Sequence, residues 1–221
     1  MNFCNAISED FQKASNAALA LPMANYLKNN FTFFGIKTEQ RRTIFKTNYE
    51  KYKLEVKSNF REIAWELFQK QEREFHHCAI DLLQKAFKNN YRLEDIQFIE
   101  KLITTHSLWD TVDTLAKYQL GGYLKQFPQE TDAVIARFSS ASNLWLNRSA
   151  ILFQLSYKEK TDFDLLKSEC EKHKHSKEFF IQKAIGWALR DYSRFNPAGV
   201  KAFVLSAQLK PLSTREALRL L

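Results

Sequence analysis

Trp109 and Asp113 lie four residues apart in the run Ser107-Leu108-Trp109-Asp110-Thr111-Val112-Asp113-Thr114-Leu115-Ala116. On a helix that spacing puts both side chains on one face. A fixed carboxylate stabilises positive charge that develops nearby and can hold a water molecule. The face of an indole also attracts cations. Ser107 reads as a helix N-cap with Asp110 as its capping-box partner three residues later. That gives Asp110 a structural role and leaves Asp113 without one. The competing arrangement is a Trp packed in the core beside a solvated Asp, and the pair alone does not choose between the two.

Two later segments bear on that choice. Trp145-Leu146-Asn147-Arg148-Ser149-Ala150-Ile151-Leu152-Phe153 sets Arg148 early in an otherwise apolar helix. The run from Phe179 to Arg190 puts Lys183, Trp187 and Arg190 at i, i+4 and i+7, opposite an apolar face of Ile181, Ala184, Ile185 and Ala188. Arg and Lys on such a face would meet phosphates, and Trp would meet a sugar or base. The formal charge of +8 fits an anionic partner. Nucleic acid leads and a membrane surface follows. His76-His77, His106 and His173-x-His175 lack Cys, Asp or Glu companions at ligand spacing, so they read as solvated or capping residues and no metal is expected. Nucleophile-elbow, P-loop and dinucleotide-binding glycine patterns are missing.

The elements that must position these residues are helices. Only 5 Gly and 4 Pro occur in 221 residues. So few turn-formers argue against a sheet of tight hairpins and for long helices with short polar connections. Apolar residues, 45% of the chain with 19 Phe, suffice for a continuous core. Breaks are expected at Ser58-Asn59, Asn89-Asn90, Gly121-Gly122, Pro128, Ser139 to Ser142, Asn196-Pro197 and Pro211. Thr38, after Gly35, reads as the N-cap of the helix that carries Arg41 and Arg42. Thr214 to Leu221 reads as a last helix, with room for a further tail. Ala79, Ala116, Ala150, Ala184 and Ala217 recur at intervals of 37, 34, 34 and 33 residues. A period near 35 built from helix pairs predicts an all-α solenoid of HEAT-like helix pairs, whose inner helices line a basic concave surface. Residues 1–221 are read as one such domain. Cys4, Cys78 and Cys170 lie far apart and read as reduced thiols. With no secretory signal and no apolar run of membrane-spanning length, the expected location is the cytoplasm.

On these residues the chain resembles the bacterial AlkD-type DNA glycosylases of the HEAT-like repeat family. Matching pieces are Met23-Ala24-Asn25-Tyr26-Leu27-Lys28-Asn29, Phe34-Gly35-Ile36-Lys37-Thr38, the runs from Glu72 to Phe75, Trp109 to Asp113, Arg148 to Leu155, and Lys177 to Arg190. They span nearly the whole chain in the family's order. The resemblance implies removal of N3- and N7-alkylated purines from double-stranded DNA by a monomer, without metal, cofactor or membrane. It implies Asp113 as the catalytic carboxylate, with Trp109 and Trp187 against the deoxyribose of the damaged nucleotide. Arg148 and Arg190 would bind the backbone near the lesion, joined by Lys183 and Thr38, and Tyr26 would sit on an N-terminal DNA-contacting helix. Ser156 stands where the family can carry a phosphate-binding lysine. The resemblance also implies a lesion left stacked and attacked from the backbone side, and a bacterial protein bound at the nucleoid when on DNA. The alternative is a non-catalytic HEAT-like scaffold that binds DNA structure or a protein partner. A carboxylate at position 113 separates the two, because a pure phosphate binder gains nothing from it.

Overall fold

The computed structural model describes residues 2–88 and 90–221. Helices carry the chain, and no named strand occurs among the described residues; one isolated bridge pairs Thr32 with Glu72. Two compact units divide it, Met1–Asn90 and Tyr91–Leu221.

The first unit holds α1 (Phe3–Lys13), α2 (Ala17–Tyr26), α3 (Thr38–Lys51), α4 (Lys53–Phe68) and α5 (Arg73–Phe87). Helix α5 buries a face of Phe75, Cys78, Ala79, Leu82 and Leu83 at the helical spacing read from the sequence. The break expected at Ser58-Asn59 is a kink inside α4, where Asn59 leaves helical φ/ψ. Asn89 lies outside the described residues. Thr38 is not an N-cap: Lys37 holds that position without a side-chain cap, and Thr38 is the first helical residue. The turn before it is held differently. The buried Glu74 carboxylate accepts the backbone N–H groups of Phe34 (3.2 Å), Gly35 (2.9 Å) and Ile36 (3.1 Å). Gly35 sits at φ +85°, and a Cβ there would lie 2.1 Å from the Asn16 carbonyl oxygen. Two of the motifs that carry the family resemblance therefore join in one structural clasp. Helix α2 buries no residue despite its apolar sequence, and Pro22 interrupts its hydrogen bonding.

The second unit holds α6 (Asp95–Thr104), α7 (Trp109–Thr114), a π-helical segment (Leu115–Leu120), α8 (Gly121–Gln126), α9 (Thr131–Ser140), α10 (Leu144–Leu152), α11 (Phe163–His173), α12 (Phe179–Tyr192), α13 (Pro197–Ser206) and α14 (Pro211–Ala217). Helix α10 packs on the π-helical segment and on α12, and α12 packs on α14. The repeat spacing is visible in the cross-links. Tyr91 N–H donates to Gln126 Oε1, 35 residues on, and Tyr157 Oη donates to the Gly121 carbonyl, 36 residues back. Each of the five periodic alanines is buried. The sequence period thus marks the alternate helices of successive pairs.

Local readings differ at four places. Gly121-Gly122 does not break the chain, which runs helically from Trp109 to Gln126. Gly121 serves close packing: a Cβ there would lie 2.4 Å from the Phe153 carbonyl oxygen. Ser107 does not cap α7. Leu108 is the N-cap, and Ser107 Oγ donates backwards to the Ile103 carbonyl at 2.6 Å. Asp110 is accordingly an acidic first-turn residue, favourable to the helix dipole, rather than half of a capping box. Helix α14 closes at Ala217 and does not run to Leu221. The histidines are not all solvated either. His76 is buried in the first unit, with Nε2 2.8 Å from the Lys70 carbonyl oxygen and Nδ1 3.0 Å from Arg73 Nη1. His173 in the second unit has its Nε2 2.8 Å from Ser139 Oγ.

Candidate active site

Asp113 projects from the last turn of α7, just before the π-helical segment. Such segments are uncommon and concentrate where a helix must re-aim side chains. Here Thr111 and Val112 are buried while Trp109 and Asp113 share the half-buried face, as their spacing predicted. The core-Trp and solvated-Asp arrangement does not occur, because Asp113 is neither solvated nor alone.

Its partner is Arg148 on α10. Arg148 Nε donates to Asp113 Oδ1 at 2.7 Å and Nη2 donates to Oδ2 at 2.8 Å, a two-pronged ion pair. The Arg148 side chain is 5% exposed and that of Asp113 13%. Arg148 Nη1 donates to the Phe180 carbonyl at the start of α12. One guanidinium therefore ties α7, α10 and α12 together. Burial pushes the Asp113 carboxyl above its ordinary value; the hydrogen bonds and charge of Arg148 pull it down, and Asp110 adds a lesser upward push. The outcome is a desolvated carboxylate in one orientation, with a small exposed fraction open to a ligand.

Two of the cations named from the sequence meet a residue that sequence reasoning did not single out. Glu216 on α14 receives Lys183 Nζ at 2.9 Å on Oε1 and Arg190 Nη1 at 2.7 Å on Oε2. Trp187 lies between those cations along α12, half-buried and packed against the apolar cluster of Ile185, Ala188 and Leu189. Aromatic rings gather beside Arg148. Trp145 and Phe180 have centroids 5.1 Å apart, and Phe179 meets Phe180 edge-on at 5.4 Å while remaining 58% exposed. The adjacent Phe179 and Phe180 at the start of the α12 run were the available sequence signal for that cluster.

The other named residues belong to the first unit. Tyr26 is the last residue of α2 and 72% exposed, and Thr38 is exposed at the start of α3. Ser156 sits at φ +70° after α10, and its N–H donates to Asp191 Oδ2 at 3.0 Å. Among the described residues, no group of three or more His, Cys, Asp or Glu side chains could hold a metal ion, and no helix is long and apolar enough to cross a membrane.

The model of a family described as "DNA alkylation repair enzyme" matches residues 7–221. The chain belongs to that family. A solved structure described as a predicted DNA alkylation repair enzyme from Enterococcus faecalis is 34% identical, with a TM-score of 0.84 over 92% of this chain and 94% of that one. AlkD2 from Streptococcus mutans is 18% identical, with a TM-score of 0.59 over 84% of this chain and 88% of its own. The protein smu.31 from Streptococcus mutans UA159 is 19% identical, with a TM-score of 0.58 over 82% and 90% of the two chains. The last two likenesses establish the helical-repeat fold alone. No curated protein matches the chain. Membership in the family makes this a DNA alkylation repair protein of all-helical repeat architecture, with DNA as its substrate.

Proposed function

We propose that the protein is a monofunctional DNA glycosylase that hydrolyses the N-glycosidic bond of cationic N3- and N7-alkylated purines in double-stranded DNA. The observation that carries this reading is the Asp113 carboxylate, desolvated and fixed by two hydrogen bonds from Arg148 on the same face as Trp109. Alkylation makes the purine cationic, so it leaves without protonation. The bond from C1′ to the base breaks with its electron pair moving onto the purine, which cancels the ring charge. Positive charge is left at C1′ of the sugar. Asp113 stabilises that charge without reorganising, since Arg148 has already set its orientation. Water adds its oxygen to C1′, and its proton passes through the Asp113 carboxylate to solvent. Trp109 and Trp187 present ring faces to the sugar and add to its stabilisation.

In this reading Arg148 acts first on Asp113. Its Nε, Nη1 and Nη2 are all engaged within the protein, which leaves one N–H on each terminal nitrogen for a backbone phosphate. Lys183 and Arg190 carry the principal backbone contact. Residues 1–221 act as one monomeric glycosylase, and the site calls for neither metal nor redox cofactor because the cationic base supplies its own leaving group. The partly open face that Asp113 shares with Trp109 favours chemistry at the sugar over a scaffold that only binds DNA.

The test is incubation of purified protein with duplex DNA containing 7-methylguanine, with free base measured directly. Asp113→Asn should abolish release while duplex binding stays equal or tightens, because one negative charge is lost. Wild-type turnover in that variant would remove Asp113 from the chemistry.

A further inference from the structure

Glu216 is an acidic residue set between two cations that, under the proposed function, face the DNA backbone. A carboxylate there repels phosphate, so its position calls for a compensating gain. The structure shows how closely it is built in. Glu216 comes from α14, which is drawn onto α12 over Gly186: a Cβ at Gly186 would lie 2.4 Å from Glu216 Cβ and 2.9 Å from the Ser213 carbonyl oxygen. Ser213 Oγ donates to the Gln182 carbonyl at 3.0 Å and fixes the register of the two helices. At that distance the two carboxylate oxygens divide between Lys183 Nζ and Arg190 Nη1, one each. The Glu216 side chain is 12% exposed, against 37% for Lys183 and 21% for Arg190. The hydrogen bond from Lys183, then that from Arg190, holds its carboxyl below the ordinary value, so it stays ionised.

We propose that Glu216 is a positioning residue which, across Gly186, locks Lys183 and Arg190 into a single preset contact for the DNA backbone. This rests on the proposed placement of those two cations at phosphates. Long cationic side chains lose rotamer freedom when they bind, and a carboxylate that has already ordered them removes that loss from the binding step. Each cation gives one nitrogen to Glu216, and Arg190 keeps its Nε and Nη2 edge for phosphate. The gain is geometric: charge is sacrificed for a fixed direction of approach.

The test is a double-mutant cycle on binding to a short undamaged duplex, using the full chain. Arg190→Ala is measured in the wild-type and in the Glu216→Gln background. If Glu216 positions Arg190, the loss caused by Arg190→Ala shrinks by roughly three- to tenfold once Glu216 is Gln, because the contact has already loosened. A simple helix staple would lower thermal stability without that coupling. Arg190→Ala losses equal in both backgrounds would overturn the proposal. Glu216→Asp, which keeps the charge on a shorter arm, should retain more of the coupling than Gln; equal loss in the two also overturns it. Base release provides the separate control. If the wild type binds duplex with the coupling intact but releases no 7-methylguanine, the glycosylase reading fails and the positioning role stands. Wild-type protein that does not bind duplex at all overturns both.

Discussion

Replacing Arg148 with alanine removes both hydrogen bonds that hold the Asp113 carboxylate and the one that reaches the Phe180 carbonyl. Breaking a buried ion pair by deleting one partner costs about 3–5 kcal/mol. The lower end applies here, since the Asp113 side chain is 13% exposed rather than fully buried. For a chain of this length each kcal/mol moves Tm by about 2–4 °C, so the loss at neutral pH should be about 6–12 °C. Its pH dependence carries a sign. With Arg148 gone, burial and the Asp110 charge both raise the Asp113 carboxyl, and the chief opposing cause is lost. A carboxyl raised in the folded state binds a proton that the unfolded chain has released, between the ordinary value of 3.8 and the raised folded value. Stability therefore falls as pH rises through that window. The Arg148→Ala deficit should be fully present at neutral pH and shrink on acidification as Asp113 becomes neutral. Thermal unfolding of both proteins over an acidic-to-neutral pH series reads this directly. In the proposed mechanism excision needs the ionised carboxylate, so any residual activity should show its acid limb moved to higher pH. A deficit that stays constant with pH, or an unchanged Tm, would refute the pairing as the main support of Asp113.

Trp187→Ala should slow excision at saturating enzyme more than it weakens duplex binding, because the ring is read as facing the sugar; the opposite split in single-turnover kinetics would assign it to docking. Gly186→Ala should destabilise the fold by about 1–3 kcal/mol through forced separation of α12 and α14. It should also weaken duplex binding, since Glu216 is carried away from its two cations. Chemical denaturation with a parallel binding assay checks both effects, and a variant as stable as wild type would show that the close approach is not required.

Much of the fold was legible because it rests on spacing. Apolar positions at 3.6-residue intervals mark helices such as α5 and α12, and the small-residue interval near 35 marks each pair; all five periodic alanines are buried. The face shared by Trp109 and Asp113 follows from the same geometry. Local punctuation was less informative. Gly121 and Gly122 look like a break in sequence, yet Gly121 exists to let the Phe153 carbonyl approach. Thr38 and Ser107 are good cap types that lie one residue away from the cap positions. A cap depends on backbone dihedrals at one residue, and composition leaves that uncertain by a residue or two.

The period also held information about the site. Asp113 and Arg148 are 35 residues apart and Lys183 and Glu216 are 33 apart, so each pair occupies stacked positions of neighbouring repeats. What the sequence by itself determined was this: helices, their repeat, and which polar residues face away from the apolar stripe. The tertiary structure alone decided which of those polar groups pair. Periodicity brings two side chains within several ångströms of each other. A hydrogen bond requires a few tenths of an ångström and a specific rotamer, and these arise only when the helices dock. Packing over Gly186 and along α10 joined Arg148, a cation read as a phosphate contact, to the Asp113 carboxylate, a pairing the sequence did not disclose. It also placed an unforeseen Glu216 between Lys183 and Arg190.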